Sequence, residues 1–260
     1  MNALRVAATA DPTATAVLDV LALPERLQVV LQPVARLSDL EPLGYEALAR
    51  FPRPGSGIAD PQGCFDYAHG AGLAPALESV ALQRALPKRA VLPRDCYLGA
   101  NVSATLLTRP EIRGVLEDAA PLEGVVIELT ERHPLGSLPQ SRRAAAWLRR
   151  LGARLAIDDL GAGYAGLQWF IELEPEVVKL DRALIRGLEH DARRRTVVRT
   201  LVAMCREVGA TAVAEGIETP AELDAVRELE VPCGQGFLLG RPSLDEPARL
   251  RTALQGVGSA

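Results

Sequence analysis

Six short apolar runs in this chain end in, or just before, a polar residue of the kind that binds metal or phosphate: Asn101, Glu128, Asp158, Lys179, Glu215 and Gln235. They recur at about the spacing of one strand-plus-helix unit. Between them lie stretches of helical periodicity with glycine stops such as Gly152 and Gly209. This pattern points to an α/β architecture with a parallel sheet, because parallel strands need crossovers. Runs such as Val125-Val126-Ile127 and Leu155-Ala156-Ile157 suit strands buried on both faces. The 260 residues match the roughly 250 that a closed eight-stranded barrel needs. The alternation therefore predicts one (β/α)8 TIM-like barrel, with the polar residues meeting on one rim.

The stretch 155–164 fixes the reading most firmly. An apolar strand delivers Asp158-Asp159, and a glycine-rich turn follows. Adjacent carboxylates repel unless a cation lies between them; taken alone, the pair is equally suited to capping the next helix. Upstream, 27–34 reads as the first strand, ended by Pro33, and 44–50 as the second. Its period of two puts Glu46, Leu48 and Arg50 on one face and Ala47 and Ala49 on the other. That charged face either lines a site or carries an ion pair in water. The Pro/Gly-rich 51–61 reads as a loop. Strands are expected at 97–102, 125–131, 155–164 (with its glycine turn), 177–181 and 211–218 (with its turn), and near 235–238. Helices are expected at 65–71, 75–86, 111–119, 141–151, 191–208 and 220–229, with a closing helix at 245–254. Residues 1–22 read as a tail or linker remnant entering a short helix at 14–23, and 23–257 as the folded domain.

Charge and cysteine usage narrow the function. A formal net charge of -4 gives no basic field for nucleic acid. Arg193-Arg194-Arg195 reads as a solvated helix face. The four cysteines and three histidines lack metal-ligand spacing, which argues against zinc and for a reducing, cytoplasmic setting. No apolar run approaches the roughly 20 residues of a membrane span.

Glu46, Glu128, Asp158, Asp159, Asp181 and Glu215, with Asn101, make a carboxylate-rich ring with one lysine, Lys179. Acids so crowded raise one another's pKa unless cations intervene. All-oxygen ligands select Mg2+ or Mn2+, with Ca2+ as a looser substitute, and the number of acids suggests two ions. Lys179 can hold an attacking water or neutralise phosphoryl charge, and Arg50 can grip a phosphate bidentately. Two reactions fit: metal-assisted phosphodiester hydrolysis, and proton abstraction beside a carboxylate with a lysine base and a magnesium-held enolate. Arg50 and the doubled acid tilt the balance to hydrolysis.

Taken together and in order, these motifs resemble the EAL domain, the family of cyclic-di-GMP phosphodiesterases. The resemblance covers roughly 27–242. It rests on Gln32-Pro33, Glu46-Ala47-Leu48 extended to Arg50, Asn101, Glu128-Leu129-Thr130-Glu131 and Asp158-Asp159. It continues through Lys179-Leu180-Asp181-Arg182, Ala214-Glu215-Gly216 with Glu218, and Gln235-Gly236. The resemblance implies a barrel whose first strand is antiparallel, and hydrolysis of cyclic-di-GMP to linear pGpG. It implies Glu46, Asn101, Glu128 and Asp158 on one metal, and Asp158 and Asp159 on a second with Glu215 or Asp181 helping. Ca2+ is expected to inhibit. Lys179 is expected to steady the water, and Glu215 to serve as general base or as ligand. Gln32, Leu48, Arg50 and Gln235 are expected to contact substrate, with Glu131 and Glu218 as loop anchors. A homodimer is implied, with any regulatory domain or partner protein unspecified. A non-catalytic cyclic-di-GMP receptor acting through a partner protein is the alternative. The chain departs from the family in the loop 160–167, where Leu160 replaces Phe and Ala165-Gly166 replace a serine pair. The lost hydroxyls put loop order and turnover rate in question.

Overall fold

The structure is a computed structural model and describes residues 11–53, 57–130, 138–161 and 166–244. Glu131, residues 162–165 of the altered loop and the expected closing helix lie outside the described residues. The strands are β1 Gln28–Arg36, β2 Pro42–Pro52, β3 Ile58–Ala59, β4 Tyr97–Ser103, β5 Val125–Thr130, β6 Arg154–Leu160, β7 Val177–Leu180, β8 Thr211–Ala214 and β9 Cys233–Gly234. Eight of them close a ring in the order β1-β9-β8-β7-β6-β5-β4-β2, with β2 pairing back to β1. β1 runs antiparallel to both of its neighbours, and the other ring pairs are parallel. The expected barrel with an antiparallel first strand is what forms.

The last strand, expected near 235–238, lies earlier, at Cys233–Gly234, and two further boundaries differ for a physical reason. β1 continues past Pro33 to Arg36. Leu31, two residues earlier, exchanges backbone hydrogen bonds with Ser243 rather than with β2. Position 33 has the same parity, so its missing N–H faces away from β2 and costs the ladder nothing. The stretch read as a loop also contains β3, a two-residue strand that pairs with Phe51 and Pro52.

The barrel is filled in layers, as side-chain alternation requires. Val34, Tyr97, Val126, Ala156, Val177, Val213 and Cys233 form a closed apolar cluster. Two residues further towards the rim, the same strands present Gln32, Gly99, Glu128, Asp158, Lys179, Glu215 and Gln235, and β2 adds Glu46. The apolar floor keeps water from below, and the polar layer above it is the site.

Outside the ring, helices cover the apolar faces of the strands in one large core. Their ends carry ordinary caps: Asp60 and Asp191 accept from first-turn N–H groups, and Thr219 with Glu222 forms a capping box. The N-terminal helix Pro12–Ala22 is capped by Asp11. It buries Ala16, Val17 and Val20 against Phe51, Ala59, Cys64, Ala68 and Leu77. The packed unit thus reaches back to residue 11, across the boundary expected at 23.

Candidate active site

Lys179 is the centre of the polar layer and is only 2 % exposed. Its Nζ lies 2.8 Å from Glu128 Oε2, 2.8 Å from Glu215 Oε1, 2.9 Å from Asp158 Oδ1 and 3.2 Å from Glu46 Oε2. One ammonium cannot neutralise four carboxylates, three of them buried, so the remaining charge must be met by protons or cations. Burial pushes Glu128 up to about 8 despite Lys179, and carries Glu215 well above the carboxylate range. Burial also pushes Glu46 up, but Lys179 and the amides of Gln235 and Asn101 outweigh it and leave Glu46 below its ordinary value. For Lys179, burial favours the neutral amine, yet the surrounding acids hold the ammonium well above its usual range.

The doubled acid reaches the site through a bulge. β6 and β7 pair in step at Ala156 and Ile157, slip, and resume at Leu160. Asp158 and Asp159 lie in the slip, with Asp159 at φ 57. Neighbouring residues of a regular strand point to opposite faces; the bulge and the left-handed Asp159 let both carboxylates share the rim. Ligand oxygens of Asp158, Asp159 and Glu215 lie within 4.8 Å of one another.

These residues fit a hard divalent cation. The donors are all oxygens, and Asp158 Oδ1 is buried without a hydrogen bond, since Lys179 approaches it off line. Asn101 Nδ2 donates to Glu46 Oε1 at 2.7 Å, so the side-chain oxygen of Asn101 is not used in that bond.

A cleft of about 310 Å³ opens above the acids. Of the residues expected in the site, Glu46, Leu48, Arg50, Asn101, Asp158, Asp159, Lys179 and Glu215 line it. Burial lowers the pKa of Arg50, whose Nη1 donates to the Ala49 carbonyl. Five others among the described residues are not in its lining: Glu128, which is buried against Lys179, and Asp181, Gln32, Gln235 and Glu218. Asp181 Oδ1 accepts from the Ala183 N–H at 2.7 Å and caps the short helix Arg182–Ile185. Gln32 and Gln235 are buried beside Glu46 and do not line the cleft. Glu218 accepts from Arg182 Nη2 at 2.9 Å, and the stem of Arg182 lies over Gly216, next to Glu215.

Two features of the site escaped the sequence reading. A Cβ at Gly99 would lie 2.0 Å from Glu128 Oε1, so the absent side chain is the space Glu128 occupies. Glu78 is buried on the cleft wall and accepts from the Ser103 N–H at 2.8 Å and from the Ser103 hydroxyl. Burial raises its pKa. An acid inside an apolar helical run, Leu77-Glu78-Ser79-Val80, was the available signal.

A closed barrel with one antiparallel strand and an acid-lysine layer at its rim defines the class: an α/β barrel with a candidate site at one end. Residues 20–242 match the EAL domain family, and the chain belongs to that family. It is 30% identical over 227 residues to the cyclic di-GMP phosphodiesterase NbdA of Pseudomonas aeruginosa, covering 84% of this chain and 29% of that protein. Among solved structures it resembles the PaMucR phosphodiesterase in complex with c-di-GMP, with TM-score 0.76, 28% identity, and 86% and 95% of the two chains covered. It also resembles Klebsiella pneumoniae BlrP1 in a calcium/cy-diGMP complex, with TM-score 0.74, 30% identity, and 85% and 57% covered. The chain spans about 30 % of the length of the first curated relatives it matches. Among the described residues no helix is long and apolar enough to cross a membrane, and all four cysteines are free and buried.

Proposed function

We propose that this chain hydrolyses one phosphodiester bond of cyclic-di-GMP to linear pGpG, using Mg2+ or Mn2+. The observation that carries the reading is the charge deficit of the rim: four carboxylates on one buried lysine, with a fifth, Asp159, brought beside them by the bulge. The names of NbdA and PaMucR support the substrate.

Glu46, Asn101, Glu128 and Asp158 would hold one ion, and Asp158, Asp159 and Glu215 a second. When bound, such ions polarise the phosphoryl oxygens and make water nucleophilic near neutral pH. The closeness of Glu215 to Asp158 and Asp159 favours a ligand over a free base. Asp181 is assigned to capping, outside both ligand sets, because its carboxylate is engaged there. Lys179 holds a positive charge beneath the reacting phosphate and steadies the incoming oxygen. Arg50 and Leu48, from the same strand face, bind and orient the nucleotide. Ca2+ fits the oxygen set but prefers longer bonds and more ligands, so it binds without supporting turnover. The proposal includes a cytoplasmic homodimer.

Incubation with cyclic-di-GMP and Mn2+, followed by chromatography, tests the reading. Appearance of pGpG, abolished by chelator, is the expected result. Tight nucleotide binding with no pGpG at any metal concentration would make the chain a receptor instead. Undiminished turnover in excess chelator would remove the metals from the mechanism.

A further inference from the structure

We propose that Gln235 and Gln32 are positioning residues for Glu46, and that they set the barrel's affinity for metal rather than its grip on the nucleotide. The proposal rests on the reading of Glu46 as a metal ligand.

The geometry is a chain of amides across the seam where the barrel closes. Gln32 and Glu46 are direct partners in the β1–β2 ladder, and Gln235 follows β9 on the other side of β1. Gln235 Nε2 donates to Glu46 Oε2 at 2.7 Å and to Gln32 Oε1 at 3.1 Å. Gln32 Nε2 in turn donates to the Gly240 carbonyl at 3.1 Å. An amide nitrogen has two hydrogens, and both of those on Gln235 are committed. What remains on Gln235 is Oε1, buried and without a partner. A carbonyl oxygen repels a phosphate oxygen, so this side chain has nothing to offer a phosphodiester. Reversing the amide would set its oxygen against Glu46 Oε2 and Gln32 Oε1, which are both acceptors, so the orientation is determined by its neighbours. Gln235 and Gln32 are 5 % and 7 % exposed, and neither lines the cleft.

The chain fixes the rotation of the Glu46 carboxylate from the side of β1 and β9 while Asn101 holds its other oxygen. Groups that orient a ligand in this way typically change metal affinity about 10- to 100-fold when removed. Gln235→Met keeps the length and removes the donor. Gln32→Ala removes the next link and is expected to act in the same direction with a smaller effect.

The test is a Mn2+ titration of the whole chain without nucleotide, read by electron paramagnetic resonance, paired with kcat and KM at saturating Mn2+. The expected result is Mn2+ affinity about tenfold weaker or more in Gln235→Met, a smaller loss in Gln32→Ala, and an unchanged KM for cyclic-di-GMP. If the variants bind Mn2+ like wild type but show a raised KM, the amides are substrate contacts and the proposal is wrong. If Gln235→Met fails to fold, Gln32→Ala alone decides between those outcomes. A wild-type chain that binds no Mn2+ would overturn the metal reading itself, and is distinguished from the other failures by the wild-type titration.

Discussion

Glu128 lies in the space a side chain at position 99 would fill, and its oxygen is aimed at Lys179 as a result. Gly99→Ala adds one methyl group there. It is expected to swing the carboxylate aside and lower turnover about 10- to 100-fold, on the scale of lost metal support. The fold should be kept, so the check is steady-state turnover beside an unchanged circular-dichroism spectrum. A Gly99→Ala enzyme of wild-type activity would mean that Glu128 has another way to reach its place. Lys179 poses the opposite problem, because removing it leaves its acids without a counter-charge. Lys179→Met is expected to destabilise the metal-free chain by about 3–5 kcal/mol. Urea unfolding in chelator measures this, and added Mn2+ should recover part of the loss through binding. The sequence made Lys179 and the acids legible because charged residues inside apolar runs are rare. It hid Gly99, because a missing side chain leaves no chemical signature in one dimension.

At the scale of elements, the closing of strands and loops decides where these residues go. The apolar runs predicted the parallel strands of the ring well, and the central position of 155–160 follows from them. The bulge at Asp158-Asp159 was not legible, since it depends on how β6 pairs with β7. The helix Gly166–Leu173 was not singled out either; it has 8 residues, too few for a clear period. The hydrogen bonds of Gln32 and Gln235 to each other and to Glu46 are not legible either, because only closure brings β9, β1 and β2 together. Glu222 shows what one buried carboxylate does for a loop. It accepts from the N–H groups of Glu218, Thr219 and Gly187, and so ties the turn after Glu215 to the helix Pro220–Glu228. Burial raises its pKa, but these backbone bonds outweigh it and the net value falls. A depressed carboxylate adds stability above its unfolded pKa, and the addition is lost as pH falls through the folded value. Glu222→Ala is therefore expected to cost about 2 kcal/mol at neutrality. The gap from wild type should narrow as the solution is acidified through the carboxylate range, followed by thermal unfolding. A gap that stays constant would show that the ionised carboxylate is not what matters.

Across the whole molecule, the helix Pro61–Gly70 connects the cleft to the N-terminal helix Pro12–Ala22. The helix Pro61–Gly70 gives Gln62, Phe65 and His69 to the cleft wall and packs Cys64 and Ala68 into the cluster under Pro12–Ala22. The Ala- and Thr-rich composition of residues 1–22 reads as a tail entering a short helix at 14–23, and a helix stands at Pro12–Ala22. Composition does not show that Val17 and Val20 meet Phe51 and Leu77 in space. Val17 is 0 % exposed and Val20 1 %, and full burial of a valine is worth about 1.5–3 kcal/mol. Removing residues 1–22 gives up both side chains and opens the apolar cluster to water, at a net loss on the order of 3–5 kcal/mol after the ordering entropy of the helix is returned. The truncated chain is expected to melt well below the full one. Loss of support under Cys64 and Ala68 should also loosen the cleft wall and weaken cyclic-di-GMP binding in Ca2+, although no rim residue has been touched. Calorimetry of unfolding and of nucleotide binding measures the two effects separately. A truncated chain with the same melting temperature and the same affinity would return residues 12–22 to the status of a tail.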